Sequence, residues 1–274
     1  MNRAEHRPYA EVIGDPISHS KSPLIHNFWA AKLGLDIDYR ACHVTPDGLA
    51  GYIAMRAPDP LWRGCNVTIP HKLAVMDHVA DPGGVRASIG AMNTIARNEG
   101  GDLFGTNTDA GGFYAPLGQS DFSRADIAII GAGGAARAVL FALSRMDVGA
   151  VTIHARNAMK AMGLLAAFGL KGTVRGMDDP LLPAALLVNT SPLGMTGFDP
   201  LTIDLAALPD DAVVYDIVYN PLDTGLLKAA RARGLETIDG LEMLIGQAAF
   251  AFEIFFDVAP PRAHDDELRA LLTA

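Results

Sequence analysis

The sequence predicts an α/β protein of two domains, each built around a sheet whose strands alternate with helices. Short apolar runs and helical patterns of apolar residues alternate along the chain in two successive series, which is typical of largely parallel sheets. The 274 residues suffice for two domains of modest size, since a single domain holds roughly 150 residues. Hydrophobic residues make up 50% of the chain and charged residues 19%, so the composition is that of a folded globular protein.

The first series begins with an apolar strand at Tyr9–Ile13, which ends at the turn residues of Gly14–Pro16. A helix is expected from Pro23, because apolar residues then recur three to four positions apart as far as Leu33. The remaining elements of this series are predicted as strands at Tyr39–Val44 and Gly64–Val67, a hairpin of Met92–Ala96 with Asp102–Phe104, and helices at Pro46–Met55 and from about His71.

The second series starts at Asp126 and has the regular alternation of a doubly wound parallel sheet. Its elements are predicted as strands at Ile127–Ile130, Ala150–Ile153, Leu186–Val188 and Val213–Ile217, and helices at Ala135–Met146 and Ala158–Phe168. After Gly240 the pattern changes to a long apolar helix, Leu241–Phe256, and a short one, Asp265–Leu272, which we expect to return to the first domain. The expected domains are therefore 1–109 with 240–274, and 110–239.

Charge and hydropathy argue against two classes of partner. Lys and Arg number 22 and Asp and Glu 31, so the net charge is −9, which is the wrong sign for nonspecific binding of nucleic acid. The most apolar window, Ile127–Leu143, contains glycines and Arg137 and is shorter than the ~20 apolar residues that span a bilayer. Residues 1–9 carry no apolar stretch like that of a signal peptide. We therefore expect a cytoplasmic protein that binds neither nucleic acid nor membranes.

A glycine-rich turn lies between the first strand and the first helix of the second series. Gly131, Gly133 and Ala136 occupy the three small-residue positions of the dinucleotide-binding fingerprint of Rossmann domains. In that fingerprint Gly131 allows the tight turn, Gly133 leaves room for a pyrophosphate, and the amides at the helix start bind the anion. The alternative is a turn that only lets the helix pack on the strand.

The residues after the next strand favour NADP over NAD. An NAD site usually places Asp or Glu about 20 residues beyond the glycines, where it binds the ribose hydroxyls. Here the strand ends at His154–Asn157 without a carboxylate. Arg156 and Lys160 offer two cations that suit the 2′-phosphate of NADP, although both could instead be solvated surface charges. NADP is therefore the predicted cofactor.

Four polar clusters mark the first domain, each at the boundary of a predicted element. They are Ser18–Pro23, Asn66–Lys72, Ala91–Thr94 and Thr106–Asp109. Hydroxyl groups both donate and accept hydrogen bonds, which suits a small polyhydroxylated or carboxylated molecule. The carboxyl ends of strands are also where ligands bind in α/β sheets. Helix capping and ordinary turn formation are the alternatives.

These motifs, in this order, resemble the shikimate dehydrogenase family over almost the whole chain. The residues that carry the resemblance are Ser20–Pro23, Asn66–Lys72, Asn93–Thr94, Asn107–Asp109, Gly131–Arg137, Asn189–Gly194, Tyr215–Pro221 and Gly240–Ala248. The resemblance implies an N-terminal α/β domain that binds substrate and a Rossmann-type domain that binds NADP. It implies the reversible, NADPH-dependent reduction of 3-dehydroshikimate to shikimate, a step toward chorismate and the aromatic amino acids.

The resemblance also implies roles for individual residues. Lys72 and Asp109 would form the catalytic pair. The substrate pocket would consist of Ser20, Ser22, Thr68, Asn93, Asp109, Tyr219 and Gln247, with both serines at the substrate carboxylate. On the cofactor side, the pyrophosphate would be bound by Gly131, Ala132, Gly133, Gly134 and Ala135. The 2′-phosphate would be bound by Arg156 and Lys160. The ribose and nicotinamide would be contacted by Thr190, Ser191, Ile217 and Gly240.

The chemistry of ketone reduction agrees with these residue types. Hydride delivered to a ketone carbon leaves negative charge on the oxygen, so a cation that also donates a proton is needed within ~3 Å. Lys72 supplies both, and Asp109 would bind the same hydroxyl and fix its geometry. One departure from the family is Ala155, which stands where an asparagine usually contacts the adenosine ribose, so cofactor affinity is expected to be weaker.

Two other functions stay open at this point: a quinate/shikimate dehydrogenase of mixed specificity, and a non-catalytic NADP-binding sensor. Ser22, where quinate-using relatives tend to differ, favours shikimate, and the presence of both Lys72 and Asp109 counts against a sensor. No metal site is expected, because the histidines and the two cysteines match no compact zinc spacing. The expected partner is a small-molecule substrate, and the chain is expected to be a monomer or a homodimer.

Overall fold

The computed structural model describes residues 7–118 and 120–274, which form two compact units. The first unit runs to Thr108 and also includes Ile245–Ala274, and the second unit is Asp109–Leu244. None of the helices in these described ranges is long and apolar enough to cross a membrane.

The first unit contains a mixed five-stranded sheet. Its strands are β1 (Tyr9–Gly14), β2 (Asp38–His43), β3 (Trp62–Val67), β4 (Thr94–Arg97) and β5 (Leu103–Thr106), in the spatial order β2-β1-β3-β4-β5. β1 pairs in parallel with β2 and β3, whereas β3-β4 and β4-β5 are antiparallel, so the predicted hairpin is confirmed. Between these strands lie the helices α1 (Ser22–Leu33), α2 (Leu49–Arg56) and α3 (Val85–Ser88).

The second unit contains a six-stranded sheet in which every pairing is parallel. Its strands are β6 (Ile127–Ile130), β7 (Val151–His154), β8 (Gly172–Arg175), β9 (Leu186–Asn189), β10 (Val213–Asp216) and β11 (Glu236–Ile238), in the spatial order β11-β10-β9-β6-β7-β8. Its helices are α4 (Asp109–Tyr114), α5 (Gly134–Leu143), α6 (Ala158–Ala167) and α7 (Gly225–Ala232). This is the predicted Rossmann arrangement, and the strand order reverses between β6 and β9, where such sheets bind ligands.

Burial explains which strands of this sheet the sequence pattern predicts. β6, β7, β9 and β10 are buried along their whole length, so most of their residues are apolar. The edge strands β8 and β11 are partly exposed and carry no apolar run, and the pattern does not predict them.

The C-terminal helices α8 (Gly240–Phe256) and α9 (Asp265–Thr273) return to the first unit, as predicted. Phe255 of α8 packs with Ala10, Val12 and Tyr39 of the first sheet. Gly64 of β3 permits this close approach, because a Cβ at Gly64 would lie 2.7 Å from the Phe255 ring.

The predicted helix that begins near His71 is wrong. The chain forms only a short 3-10 turn there, Ala74–His78. Val75 is the one residue of that turn that is buried, so the segment has no apolar face to stabilise a longer helix.

Candidate active site

The segment 68–72 leaves the carboxyl end of β3 and lies against the end of β1. Thr68 N donates a hydrogen bond to Ile13 O at 2.9 Å. A Cβ at Gly14 would lie 2.5 Å from Thr68 Cγ2, so only glycine at that position lets the segment approach β1 so closely. Thr68 is thereby fixed at the strand ends, where ligands bind in α/β sheets.

Lys72 is positioned by its neighbours in the chain and by the segment before β4. The buried His71 donates from Nε2 to the carbonyl of Val44 at 2.7 Å. Met92 N donates to Lys72 O at 2.8 Å, and Met92 directly precedes Asn93. Two predicted site residues, Lys72 and Asn93, therefore belong to segments that are hydrogen-bonded to each other in the first unit.

Asn93, Thr108 and Gln247 form a buried hydrogen-bonded cluster in the same unit. Asn93 Oδ1 accepts a hydrogen bond from Thr108 N at 2.7 Å, and Asn93 Nδ2 donates to Thr108 Oγ1 at 2.9 Å and to Gln247 Oε1 at 3.5 Å. Thr108 Oγ1 also donates to Gln247 Oε1, at 3.3 Å. The structure thus brings together two predicted substrate residues that are 154 positions apart in the chain.

Three further residues, Tyr39, Asn66 and Thr94, extend this cluster by hydrogen bonds, and no role was predicted for any of them from the sequence. Tyr39 donates from its hydroxyl to Asn66 Oδ1 at 2.6 Å, and Asn66 Nδ2 donates to Thr94 Oγ1 at 3.0 Å. Thr94 in turn donates to Asn93 Oδ1 at 3.0 Å, which fixes the orientation of the Asn93 amide. Asn66 and Thr94 stand inside quoted motifs, but no local pattern links either of them to Tyr39.

The predicted serines lie at the start of α1. Ser22 is its first residue and is buried, and Ser20 is half-buried two residues earlier. Ser20 Oγ accepts a hydrogen bond from Ser22 N at 3.3 Å, which is a local turn contact, and the cap residue Lys21 makes no side-chain capping bond.

Asp109 and Tyr219 belong to the second unit, whereas Lys72 belongs to the first. Asp109 is the buried first residue of α4. Tyr219 follows β10, and burial raises the pKa of its phenol, so the hydroxyl stays protonated and can donate a hydrogen bond.

The glycine turn after β6 has the geometry that a dinucleotide needs. Gly131 has a φ of +102°, and a Cβ there would lie 3.0 Å from Thr190 Oγ1 and 3.1 Å from Ser191 N. A Cβ at Gly133 would meet no protein atom within 4 Å, so this position opens onto space that a pyrophosphate can occupy. Gly133 caps α5, whose first amides have no acceptor within the helix. The partly exposed residues Ala132, Gly134 and Ala135 complete this turn.

Thr190 and Gly240 are fixed by close contacts with the backbone. Thr190 donates from both its backbone N and its Oγ1 to Ile130 O, at 2.8 and 2.7 Å. A Cβ at Gly240 would lie 2.5 Å from the carbonyl oxygen of Ile217, so Gly240 and Ile217 are in direct backbone contact. Backbone contacts therefore hold three of the predicted nicotinamide-side residues of the second unit, namely Thr190, Ile217 and Gly240.

Arg156 and Lys160 lie beyond the end of β7, and both side chains are exposed. Neither makes an ion pair with any residue in the described ranges. Asn157 between them caps α6, accepting a hydrogen bond from Lys160 N at 2.9 Å. The two cations can therefore meet a phosphate, and the residues present fit NADP.

Family models and whole-chain relatives agree on one family. Residues 12–95 match the shikimate dehydrogenase substrate binding domain, and residues 240–265 match the shikimate 5'-dehydrogenase C-terminal domain. The shikimate dehydrogenase (NADP(+)) of Sphingopyxis alaskensis is 66% identical over 267 residues, which cover 97% of each chain.

Solved structures are similar over nearly the whole chain. The shikimate 5-dehydrogenase of Thermus thermophilus, in complex with NADP(H) and shikimate, has a TM-score of 0.85 and 32% identity, covering 97% of this chain and 99% of that one. The quinate dehydrogenase of Corynebacterium glutamicum, in complex with NAD, has a TM-score of 0.86 and 28% identity. The similarity covers 97% of this chain and 99% of that one.

Proposed function

Because this chain belongs to the shikimate dehydrogenase family, we propose that Lys72 and Asp109 carry out its reaction. The chain is an enzyme that reversibly reduces 3-dehydroshikimate to shikimate with NADPH as cofactor. This reaction is an oxidoreductase step in the biosynthesis of the aromatic amino acids.

Lys72 acts as the acid in the direction of reduction. Bound NADPH supplies the hydride that reaches the ketone carbon. As negative charge develops on the ketone oxygen, the Lys72 ammonium stabilises that charge and donates a proton to it. Asp109 accepts a hydrogen bond from the resulting hydroxyl and fixes its geometry, and Lys72 takes the proton back when shikimate is oxidised.

The other polar residues bind and orient the substrate ring. Ser20 and Ser22 bind its carboxylate, because serine hydroxyls donate hydrogen bonds to anions. The ring oxygens are bound by four residues that each present a neutral donor, namely Thr68, Asn93, Tyr219 and Gln247. In Gln247 the amide oxygen accepts hydrogen bonds from Asn93 and Thr108, and the amide nitrogen is the donor that we assign to the substrate.

The second unit binds the cofactor. The turn Gly131–Ala135 holds the pyrophosphate at the start of α5, and Arg156 and Lys160 bind the 2′-phosphate. Thr190, Ser191, Ile217 and Gly240 contact the ribose and nicotinamide. We assign substrate binding and catalysis to 1–109 with 240–274, and dinucleotide binding to 110–239.

The observation that most supports this assignment is the hydrogen bond from Met92 N to Lys72 O, which joins the lysine segment to the segment of Asn93. Asn93 in turn is hydrogen-bonded to the buried Gln247, so these three proposed residues belong to connected segments of the first unit. The test is the loss of NADPH absorbance on addition of 3-dehydroshikimate. Turnover is expected, and tight NADPH binding without turnover would favour the non-catalytic sensor instead.

Quinate is the second candidate substrate, because the quinate dehydrogenase has the same fold over nearly the whole chain. Measuring kcat/KM for shikimate and quinate, each with NADP and NAD, separates the two possibilities. We expect shikimate with NADP to be preferred, since Ser22 is present and β7 ends without a carboxylate.

We also propose that the enzyme works in the cytoplasm as a monomer or a homodimer. Its relatives are enzymes of NADP-dependent biosynthesis, which supports that location. Sedimentation analysis of the purified protein measures the oligomeric state directly.

A further inference from the structure

Asp216 is a buried carboxylate that takes no part in the proposed reaction. It is the last residue of β10 and is fully shielded from solvent. It accepts hydrogen bonds from Asn189 Nδ2 at 2.9 Å, Val218 N at 3.1 Å and Thr224 Oγ1 at 2.7 Å. Burial raises the pKa of Asp216, and these three hydrogen bonds oppose that effect because each of them favours the carboxylate.

Asp216 helps to fix which way the Asn189 amide points, together with the carbonyl of Leu193, which accepts a hydrogen bond from Asn189 Nδ2 at 3.1 Å. Asn189 ends the neighbouring strand β9, is itself buried, and is the direct register partner of Asp216. Because an ionised carboxylate only accepts hydrogen bonds, it requires the nitrogen end of the amide, which leaves Asn189 Oδ1 on the opposite side. That oxygen accepts from Ser191 N at 3.0 Å and from Ser191 Oγ at 2.7 Å.

Ser191 lies directly against the glycine turn. A Cβ at Gly131 would be 3.1 Å from Ser191 N and 3.2 Å from Ser191 Cβ. We propose that Asp216 is a positioning residue for NADP(H), which acts through Asn189 to hold Ser191 beside the turn that receives the pyrophosphate. This inference rests on the proposed cofactor role of the second unit.

Thr224 binds the second carboxylate oxygen of Asp216, the one that Asn189 does not contact. It is buried, donates to Asp216 Oδ2, and its hydroxyl also accepts a hydrogen bond from Leu227 N as the cap of α7. If Thr224 has only a structural role, loss of the cap should destabilise α7 and leave cofactor affinity unchanged. Cofactor affinity therefore distinguishes a positioning role from a merely structural one.

The test compares Asp216→Asn with the wild-type enzyme. Asp216→Asn replaces one acceptor oxygen by a donor, so we expect the Kd for NADPH, measured by fluorescence titration, to rise about tenfold. The KM for 3-dehydroshikimate should change less than the Kd for NADPH, because among its proposed ligands only Tyr219 lies next to a residue bonded to Asp216. A folded Asp216→Asn enzyme with the wild-type Kd for NADPH overturns the proposal.

A second pair of variants keeps the test decisive if Asp216→Asn does not fold. Thr224→Val removes the hydroxyl that bonds to Asp216, whereas Thr224→Ser retains it. Weakened NADPH binding in Thr224→Val, restored in Thr224→Ser, supports the proposal, and equal affinity in both variants and wild type refutes it.

Leu208→Ala is the matched control for destabilisation alone. Leu208 is buried in the second unit, and its side chain takes no part in the hydrogen bonds around Asp216. Leu208→Ala should have a lower Tm and the wild-type affinity for NADPH. If it instead loses as much affinity as Asp216→Asn, the weaker NADPH binding is due to lower stability, and the proposal is overturned. If wild-type enzyme neither binds NADPH nor turns over, the proposed function fails; if it does both and the Asp216 variant binds equally well, only this inference fails.

Discussion

His26 is a histidine that the fold keeps neutral in the core of the first unit. Its ring is completely buried and stacks on the ring of Tyr39 at a centroid distance of 3.9 Å, with Trp29 and Phe252 on other sides. Neither ring nitrogen has a hydrogen-bond partner among the described residues. Burial therefore lowers the pKa of His26 from 6.5 to about 3.

This lowered pKa makes the first unit less stable in acid. Below pH 6.5 the unfolded chain binds a proton at His26 that the folded chain cannot bind until the pH approaches 3, so stability is lost as the pH falls. Each pH unit below 6.5 removes about 1.4 kcal/mol, so this one group lowers the free energy of unfolding by about 3 kcal/mol at pH 4.5.

The perturbation that tests this is His26→Phe, which keeps an aromatic ring at the stack but removes the titratable group. At pH 8 we expect its free energy of unfolding to lie within about 1.5 kcal/mol of wild type, as for a near-isosteric core change. Between pH 8 and pH 4.5 the wild type should lose about 3 kcal/mol more free energy of unfolding than the variant does, because only the wild type has the titrating histidine.

Urea unfolding followed by tryptophan emission is the appropriate assay. The chain has two tryptophans, Trp29 and Trp62, and both lie in the first unit, so their emission reports on the unit that contains His26. Parallel pH profiles for the two proteins would refute the reasoning, because they would mean that His26 binds protons equally in the folded and unfolded chain.

Three other changes test separate parts of the account. Gly133→Ala places a methyl group in space that is empty of protein atoms, so we expect an unchanged Tm but a Kd for NADPH raised about tenfold; unchanged affinity would contradict the pyrophosphate assignment. The double variant Arg156→Ala/Lys160→Ala should raise the KM for NADPH roughly 10- to 100-fold and leave the KM for NADH nearly unchanged. An equal rise in KM for both cofactors would argue against a 2′-phosphate site. Glu11→Gln alters a buried carboxylate that accepts hydrogen bonds from two arginines and a tyrosine, so urea unfolding should show that the free energy of unfolding of the first unit falls by about 3 kcal/mol. The control Asp36→Asn changes an exposed carboxylate and should alter that free energy by less than about 0.5 kcal/mol. Similar effects of the two variants would contradict the burial argument.

The buried strands of the second unit were predictable because local sequence determines them. Ile127–Ile130 and Leu186–Asn189 are apolar almost throughout, since both faces of a parallel sheet are covered. The edge strand Gly172–Arg175 is half-exposed, and its place in the sheet comes from pairing with β7 and not from its own composition. The helix expected near His71 failed for a related reason, because its segment is bound by backbone contacts and lacks an apolar face.

The candidate site could be predicted as a set of residues but not as a set of contacts. The motifs name Asn93 and Gln247, yet their hydrogen bond joins residues far apart in the chain, and no periodicity encodes it. The contacts of Tyr39 and Asp216 could not be found from local sequence, because each side chain reaches a buried amide on another strand. Such residues resemble ordinary core or strand-end residues until their partners are known.

The most direct test of the proposed reaction is the steady-state kinetics of Lys72→Ala with 3-dehydroshikimate and NADPH. Loss of the proton donor should lower kcat by roughly 10²- to 10⁴-fold, with KM for 3-dehydroshikimate little changed and NADPH binding intact. Lys171→Ala, which removes an exposed lysine of the second unit, should retain wild-type kcat. A Lys72→Ala enzyme with near-normal kcat would show that another group protonates the substrate oxygen, and the assignment of Lys72 would be wrong.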